Sequence, residues 1–379
     1  MKKVLVPRVR FKGFSDNWEQ GNIGEVFELT RGEVLSQRKI KNKKMGEYIY
    51  PVFSSQTLNN GLLGFYNNFL FKNSITWTTD GANAGTVLYR DGLFYATNVC
   101  GVMLQKTSIK PSSYFAHEIN VKVKKHVIKA GNPKLMINVL HEVLINFSKN
   151  KLEQEKISIL IENIDNLISL EEIKLNKLKQ LKQTLLQKMF PEGNSKVPKI
   201  RFRGFDEEWK EEKVGSFSEI TIGEFVIKTK QNDFYEYPVY NGGITNTGFY
   251  KEYNNEGNKI IVSARGANAG YINFSEKRYW AGNSCYSIDL ISKRHSNIKF
   301  IFYSMLINKY KFDDNKQVGT IPSVSLEDVK NFVIYLTSYS EQQKIGDFFS
   351  KIDNLINLYQ SKLNKLQQIK EALLQKMFL

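Results

Sequence analysis

The amino-acid sequence predicts an α+β protein in which two strand-rich mixed α/β domains are joined by two long helices that pair antiparallel as a coiled coil. Three observations lead to this prediction. The chain of 379 residues contains an internal repeat, a heptad pattern of apolar residues runs through the end of each repeat, and the other segments contain short apolar runs separated by turn residues. A repeat of this kind also predicts pseudo-twofold symmetry within the chain.

The repeat is visible as paired landmarks that occur in the same order in both halves. The landmarks are VPRVRFKGFSDNW at 6–18 with VPKIRFRGFDEEW at 197–209, YPV at 50–52 and 237–239, GANAG at 81–85 and 266–270, and LLQKMF at the end of each half. The segments 153–190 and 341–378 align without a gap, with about three positions in five identical. These landmarks indicate duplication of a unit of about 190 residues whose middle part has diverged.

The end of each repeat predicts a long helix. Seam positions recur at alternating steps of four and three residues from Ile157 to Met189, and again from Ile345 to Met377. Such a heptad pattern predicts that the helices pair, and the single lysine in each seam is expected to set the register. Two helices that each cap their own domain are the alternative. The residues predicted to pair are Ile164, Ile168, Leu175, Leu178, Lys182 and Leu185 in the first helix, and Ile352, Ile356, Leu363, Leu366, Lys370 and Leu373 in the second.

The remaining segments predict strands joined by tight turns. Runs rich in β-branched and aromatic residues, such as Ser74–Trp77 and Ile260–Ser263, are bounded by Asn-Gly, Asp-Gly and Gly-Gly steps. GANAG is expected to be one of these turns, and 300–308 is expected to be helical. The predicted division is a first domain at 1–150, a first helix at 151–190, a linker at 191–197, a second domain at 198–339 and a second helix at 340–379.

The charge of the chain favours a polyanionic partner. It has 54 Lys and Arg against 38 Asp and Glu, a formal charge of +16, of which residues 1–190 carry +12. A balance this basic is most often found in proteins that bind nucleic acid. No apolar run approaches the ~18 to 20 residues of a membrane span, so we expect a cytoplasmic protein without a membrane partner.

Sequence motifs of catalysis and metal binding are absent. The sequence contains no phosphate-binding loop, no zinc-protease motif and no serine-hydrolase motif. The four histidines are scattered without ligand spacing, and two cysteines are too few for a disulfide framework or a cysteine-rich zinc site. Cys100 and Cys285 occupy the same place in each repeat and are expected to be small buried strand residues. We therefore expect no bound metal and no cofactor.

Candidate DNA contacts are basic or polar residues on predicted loops. Gln and Asn pair bidentately with adenine and Arg with guanine, whereas Lys and Arg neutralise phosphates. Exposed lysines often serve only solubility, and a structural turn at Asn241-Gly242 is the alternative for that residue. The candidates are Arg31, Arg38, Lys39, Lys41, Lys43, Lys44, Ser54, Ser55, Gln56 and Thr79 in the first half, and Lys228, Lys230, Asn241 and Arg265 in the second.

The duplicated motifs resemble those of the specificity subunit of Type I restriction-modification enzymes. The resemblance covers the whole chain and depends on the two openings with Trp18 and Trp209, and on E-Q-x-K-I, I-D-N-L-I and LLQKMF in both helices. It implies that each variable middle is a target recognition domain for one half of a bipartite DNA site, while the helix pair acts as a spacer. It also implies a non-catalytic subunit that docks two methyltransferase subunits, which use S-adenosylmethionine, and joins motor-nuclease subunits in the full complex.

Two other functions remain open at this point. A coiled-coil adaptor with a basic surface would bind acidic proteins and not duplex DNA. A stand-alone nuclease or methyltransferase would need an acidic metal cluster or an adenine-methyltransferase motif such as N-P-P-[YF], which Asn132-Pro133-Lys134-Leu135 does not match.

Overall fold

The computed structural model describes residues 5–55, 58–193, 195–292, 294–315 and 321–378. The chain forms two compact units, which are described separately: the first comprises residues 1–171 and 362–379, and the second comprises residues 172–361. This division differs from the boundaries expected from the sequence, which kept each long helix apart from the domains. The difference arises because the inner face of each helix half belongs to the hydrophobic core of a unit.

The first unit is built around a six-stranded sheet. Its strands are β1 (Glu19–Asn22), β2 (Phe27–Arg31), β3 (Tyr50–Phe53), β4 (Leu62–Tyr66), β5 (Phe71–Thr78), β6 (Val87–Ala96), β7 (Cys100–Gln105) and β8 (Leu144–Phe147). The sheet has the order β2-β7-β5-β6-β3-β4, in which β3 and β6 are parallel and the other neighbours are antiparallel. β1 pairs with β8 separately. The predicted strand Ser74–Trp77 is confirmed within β5.

Helices cover one face of this sheet. They are α1 (Ile23–Val26), α2 (Ser113–Val123), α3 (Ile137–His141) and α4 (Lys151–Met189), with 3-10 turns at Gln37–Lys39, Leu58–Gly61 and Lys124–His126. The sequence analysis did not predict α2, although its buried Phe115 stacks edge-on against Phe27 with ring centroids 5.3 Å apart. Ile157 and Ile161 of α4 complete the same core.

The second unit repeats this plan with shorter strands. They are β9 (Lys210–Lys213), β10 (Ser218–Ile222), β11 (Tyr237–Tyr240), β12 (Phe249–Tyr250), β13 (Lys259–Ser263), β14 (Ile272–Ser275), β15 (Trp280–Ala281), β16 (Cys285–Leu290) and β17 (Val333–Leu336). The helices are α5 (Val214–Phe217), α6 (Ile298–Ile307), α7 (Tyr310–Asn315), α8 (Leu326–Lys330) and α9 (Tyr339–Met377), with a 3-10 turn at Lys228–Lys230. The sheets have the orders β10-β16-β13-β14, β12-β11-β15 and β17-β9. The helix expected near 300–308 is confirmed as α6.

The strand registers match between the two units. Thr78 pairs with Cys100 in the first unit, and Ser263 pairs with Cys285 at the equivalent positions of the second. The parallel pairing of β3 with β6 returns as the parallel pairing of β11 with β15. Each GANAG sequence is a turn, since it joins β5 to β6 and β13 to β14 and its outer glycines have positive φ. The duplication predicted from the landmarks is therefore a duplication of topology.

Both long helices begin several residues before the first seam position, α4 at Lys151 and α9 at Tyr339. α4 begins at Lys151 because the Asn150 side chain accepts the backbone N–H groups of Leu152 and Glu153. Within α9, Gly346 is required because a Cβ at this position would lie 2.5 Å from Oδ1 of Asn297. Asn297 in turn caps α6 by accepting the N–H of Phe300.

The two helices are antiparallel within each unit. In the first unit Asp165 of α4 pairs with Lys370 of α9, and Glu171 pairs with Lys362, so partner numbers fall as helix numbers rise. Lys182 pairs with Asp353 in the second unit. Every seam position from Ile157 to Met189 and from Ile345 to Met377 is buried or half-buried, including all twelve residues predicted to pair.

Residues of the opening motif of each repeat, at 6–18 and 197–209, bind and pack against the ends of the long helices. Nε and Nη2 of Arg10 bind the buried carboxylate of Glu153 at 2.6 and 2.9 Å, and Arg201 binds Glu341 in the same way at 2.7 and 2.8 Å. Trp18 packs edge-on against Phe378, as Trp209 does against Phe190. The opening motif and the LLQKMF ending of the sequence therefore meet in each core. Across the described residues, no helix is long and apolar enough to cross a membrane.

Candidate nucleic-acid interface

The basic segment of the first unit lies between β2 and β3 and is exposed to solvent. Arg31 ends β2, Arg38 and Lys39 lie on the 3-10 turn, and Lys41, Lys43 and Lys44 follow it. Lys41 is tied to Phe65 of β4 by two backbone hydrogen bonds of 2.8 and 2.9 Å. Within the described ranges, none of the six basic side chains forms a salt bridge. Their charges are therefore available to neutralise phosphates.

The second unit carries its basic side chains at the equivalent place. Lys228 and Lys230 lie exposed on the 3-10 turn that follows β10. A glycine fixes the chain before each turn, because a Cβ at Gly32 would lie 2.1 Å from the carbonyl oxygen of Ala96, and one at Gly223 would lie 2.3 Å from that of Ala281. The repeat therefore presents cations from matching 3-10 turns in both units.

The polar residues that follow the YPV strands are partly engaged in the fold. Ser54 Oγ accepts a hydrogen bond from Thr97 at 3.1 Å, and the carbonyl group of Ser55 accepts one from Asn83 at 3.4 Å. Oδ1 of Asn241 accepts the backbone N–H of Ser284 at 3.2 Å, which favours the structural alternative for this residue. Gln56 lies outside the described residues.

The turns at GANAG place opposite charges at equivalent positions. Arg265 of the second unit is exposed, whereas its counterpart Asp80 pairs with Lys134 at 3.9 Å. Thr79, which was predicted to contact DNA beside this turn, is only 1% exposed, and its hydroxyl donates to Asp80 and lies 3.1 Å from the carbonyl oxygen of Val99. The structure corrects this prediction, because a buried side chain with its hydroxyl occupied cannot reach a base.

Two exposed aromatic residues were missed by the sequence analysis. The side chains of Phe225 and Phe234 are 72% and 95% exposed and flank the 3-10 turn with Lys228 and Lys230. They were missed because an apolar residue in a pattern is first assigned to the core. Their position among turn residues could have indicated that they are exposed, since Phe234 follows Asn232 and Asp233. Apolar side chains beside cations are used by other proteins to wedge between base pairs.

Both cysteines belong to the described residues and have shifted pKa values. Cys100 and Cys285 are buried at the start of equivalent strands, as predicted, and burial raises the pKa of each thiol to about 11. Neither is therefore a thiolate at neutral pH, the form needed for nucleophilic attack. Among the residues that the structure describes, no cluster of three or more His, Cys, Asp or Glu side chains is arranged to hold a metal ion.

Known proteins share both the sequence pattern and the fold. The sequence profile of the Type I restriction modification DNA specificity domain matches residues 15–180 and 206–368. A Mycoplasma pneumoniae protein that bears the name type I specificity subunit is 29% identical over 86% of this chain and 86% of its own length. A second M. pneumoniae protein, named as the N-terminus of such a subunit, is 40% identical over 37% of this chain and 74% of its own length.

A solved structure extends the likeness to the whole fold. The crystal structure of the S subunit of a Type I restriction-modification system from M. genitalium superposes with a TM-score of 0.74, covers 99% of both chains and is 20% identical. At this identity the structural likeness establishes a shared fold. The sequence profile, in contrast, matches most of both units directly. The chain therefore belongs to the family of Type I restriction modification DNA specificity proteins.

Proposed function

We propose that each unit recognises one half of a bipartite DNA target, and that the chain is the non-catalytic recognition subunit of a Type I restriction-modification complex. The proposal depends on one observation: the two units share a topology but expose different residues at equivalent positions. Asp80 and Arg265 stand beside the same turn, and Lys43 and Phe234 lie in the equivalent segments before the YPV strands. Two domains that share a topology but expose different side chains could each recognise a different half-site.

The charge distribution supports double-stranded DNA as the ligand. Six basic side chains in the first unit and Lys228 and Lys230 in the second are exposed on equivalent segments. Cations without carboxylate partners bind phosphates by releasing counterions from DNA, which gives affinity that falls steeply with salt. An adaptor for acidic proteins is not favoured, because the family to which the chain belongs is a DNA specificity family.

The family resemblance supplies the proposed partners. We infer that the paired helices dock two methyltransferase subunits, and that these subunits, not this chain, bind S-adenosylmethionine and methylate adenine. Motor-nuclease subunits would join the same assembly for restriction. Since its substrate is the genome, we place the complex in the cytoplasm.

The experiment is to co-express the chain with its methyltransferase partner and to map methylated adenines across the genome. A bipartite motif is the expected result, and exchange of residues 1–150 for those of another family member is expected to change one half of the motif only. A single continuous motif, or a change in both halves after the exchange, would contradict the proposal.

The length of the helix pair is proposed to set the gap between the half-sites. Deletion of one heptad from both α4 and α9 keeps the seam in phase and removes about 10 Å from each helix, or about 3 base pairs of B-DNA. The expected result is a motif with the same half-sites and a shorter spacer. Methylation of the original motif by this variant would overturn the spacer role. Deletion of one heptad from a single helix breaks the pairing and shows, as a control, what loss of folding looks like in the same assay.

A further inference from the structure

The six-stranded sheet of the first unit has a cavity on one face whose walls contain both polar and apolar groups. Alternate residues of a strand point to the same side, so Thr76 and Thr78 of β5 share this face with Leu88 and Arg90 of β6. Trp77, which also borders the cavity, belongs to the main core. The cavity has a volume of about 120 Å³, well above what one water molecule needs. Its walls also include Ser54, Asn60, Asn83, Thr86 and Cys100.

Among the described residues, Arg90 is the only cation in the cavity wall, and its guanidinium group makes several contacts. Nε donates to Oγ1 of Thr76 at 3.0 Å, and Nη2 donates to the carbonyl oxygen of Asn60 at 2.7 Å. The guanidinium group lies over the ring of Phe53, 3.7 Å from its centroid. Within the described part of the chain, Nη1 of Arg90 and the hydroxyl groups of Thr78 and Thr86 make no hydrogen bond. These groups are the donors left for a ligand.

The charge of Arg90 has no anionic partner in the structure described. The residue is 9% exposed, and no carboxylate lies within salt-bridge distance of it among the described residues. Burial lowers the pKa of Arg90 to about 10, so the group remains charged at neutral pH. A buried charge without a counter-charge is costly. The two acceptor oxygens and the ring of Phe53 stabilise the guanidinium group as dipoles, but none of them carries the negative charge that an anion in the cavity would supply.

The second unit replaces this arrangement with a neutral pair. Ser275 occupies the strand position of Arg90, since Ser275 pairs with Lys259 as Arg90 pairs with Ser74. Tyr240 stands in the place of Phe53, and the hydroxyl group of Ser275 donates to the carbonyl oxygen of Lys277 at 2.8 Å. Burial there needs no counter-charge. The buried cation is therefore a feature that only the first of the two equivalent sheets possesses.

We propose that the cavity beside Arg90 binds one phosphate-class oxyanion, held by Nη1 of Arg90 and the hydroxyl groups of Thr78 and Thr86. The oxyanion is either free inorganic phosphate or a phosphate of the DNA backbone, and both offer the tetrahedral acceptor set that a fixed guanidinium recognises. The site goes beyond recognition of bases, and its occupation by free phosphate does not depend on the proposed function.

Calorimetric titration of the full chain with sodium phosphate, at constant ionic strength, tests the site. The comparison is the double variant Phe53→Tyr/Arg90→Ser, which installs the neutral pair of the second unit. Wild-type protein is expected to bind phosphate at least tenfold more tightly than this variant. Equal binding by both proteins would overturn the proposal, because phosphate bound elsewhere on the basic surface is common to the two.

A second measurement uses only wild-type protein and therefore does not depend on folding of the variant. The ¹⁵N resonance of Arg90 Nε, assigned by comparison with Arg90→Lys, is expected to shift on addition of phosphate, and an unchanged resonance would mean that the cavity holds water alone. The salt dependence of DNA binding shows whether the oxyanion is free phosphate or a phosphate of the DNA backbone. If a backbone phosphate fills the site, the double variant loses about 0.9 from the slope of log K against log salt; if free phosphate does, the slope is unchanged.

Discussion

Nζ of Lys182 lies 2.5 Å from Oδ1 of Asp353, and the repeat places the same pair at Lys370 and Asp165. Each lysine is the polar residue of a heptad seam, and each aspartate belongs to the I-D-N-L-I motif of the other helix. A shift of one heptad would separate both pairs and leave four charged groups beside an apolar seam. The ion pairs therefore explain why a lysine is found twice at a seam position, and they specify the antiparallel register.

Exchange of charge tests this role in the second unit. Lys182→Asp alone places two carboxylates together beside Tyr303, whose hydroxyl donates to Asp353 at 2.7 Å. We expect a loss of about 1 to 2 kcal/mol, since the pair is partly exposed, and partial recovery in Lys182→Asp/Asp353→Lys. Urea midpoints provide the measurement. Additive effects of the two reversals would show that the pair does not couple.

Removal of Arg10 is expected to destabilise the first unit strongly. The Glu153 side chain is fully buried. Arg10→Met removes the counter-charge of the Glu153 carboxylate, which would keep the hydrogen bond from Trp18 Nε1 at 3.3 Å. Breaking a buried pair in this way costs about 3 to 5 kcal/mol, to be measured by urea unfolding at pH 7. Arg201→Met, which breaks the equivalent pair with Glu341, is the matched variant and is expected to give a loss of similar size.

The same pair predicts a dependence on pH. Burial acts to raise the pKa of Glu153, but hydrogen bonds from Arg10 and other neighbours outweigh it and hold the pKa below the ordinary value of 4.5. A depressed pKa means stability that is present above pH 4.5 and lost as pH falls below it. In Arg10→Met the buried carboxyl group of Glu153 is easier to protonate. The difference in free energy of unfolding between wild type and variant is therefore expected to become smaller as pH falls from 7 to 4. A constant difference would mean that Arg10 does not control the ionisation of Glu153.

Glu118 is expected to give the opposite dependence. It is buried in α2 with one oxygen bound to the N–H of Asn146, and burial raises its pKa to about 7 from 4.5. Because the folded protein binds this proton more tightly than the unfolded chain, stability falls as pH rises from about 4.5 to 7. Glu118→Gln is therefore expected to melt at a higher temperature than wild type at pH 8 but not at pH 5. Equal shifts at both values would exclude ionisation as the cause.

The basic segment is expected to determine the salt dependence of DNA binding. Lys43→Gln/Lys44→Gln removes two exposed cations from the segment before β3 and should lower the slope of log K against log salt by about 0.9 for each phosphate that is no longer neutralised. Lys177→Gln/Lys179→Gln removes the same charge from the outer surface of α4 and is expected to leave the slope unchanged. Similar slopes for the two variants would mean that only net charge matters.

Phe234 is expected to contribute to DNA affinity and not to stability. Its side chain is almost fully exposed, so Phe234→Ala should change unfolding by less than about 0.5 kcal/mol. Loss of stacking on a base is expected to weaken DNA binding by about 1 to 2 kcal/mol, or roughly 5- to 30-fold. Ile291→Ala, at the far end of β16 from Cys285, is the exposed apolar control. Unchanged affinity in Phe234→Ala would remove this residue from the interface.

The sequence by itself determined the duplicated architecture, the helical seams and the turns. Spacing between landmarks and a heptad pattern are properties of the linear order, so the sequence predicted the pairing of the helices that carry Leu175 and Leu363. GANAG formed a turn because its glycines permit positive φ wherever the chain places them. The sequence also named the basic candidates of both halves, whereas the matching 3-10 turns that carry them were found in the structure.

Only the tertiary structure decided which polar residues are free to act. Thr79 is buried beside Val99, and Asn241 is bound to Ser284, because strand pairing brings segments that are distant along the chain into the same space. The uncompensated charge of Arg90 likewise emerges only when Phe53, Asn60 and Thr76 converge on it from three segments. Burial and hydrogen bonding depend on distances between residues remote in sequence, which periodicity and composition do not contain.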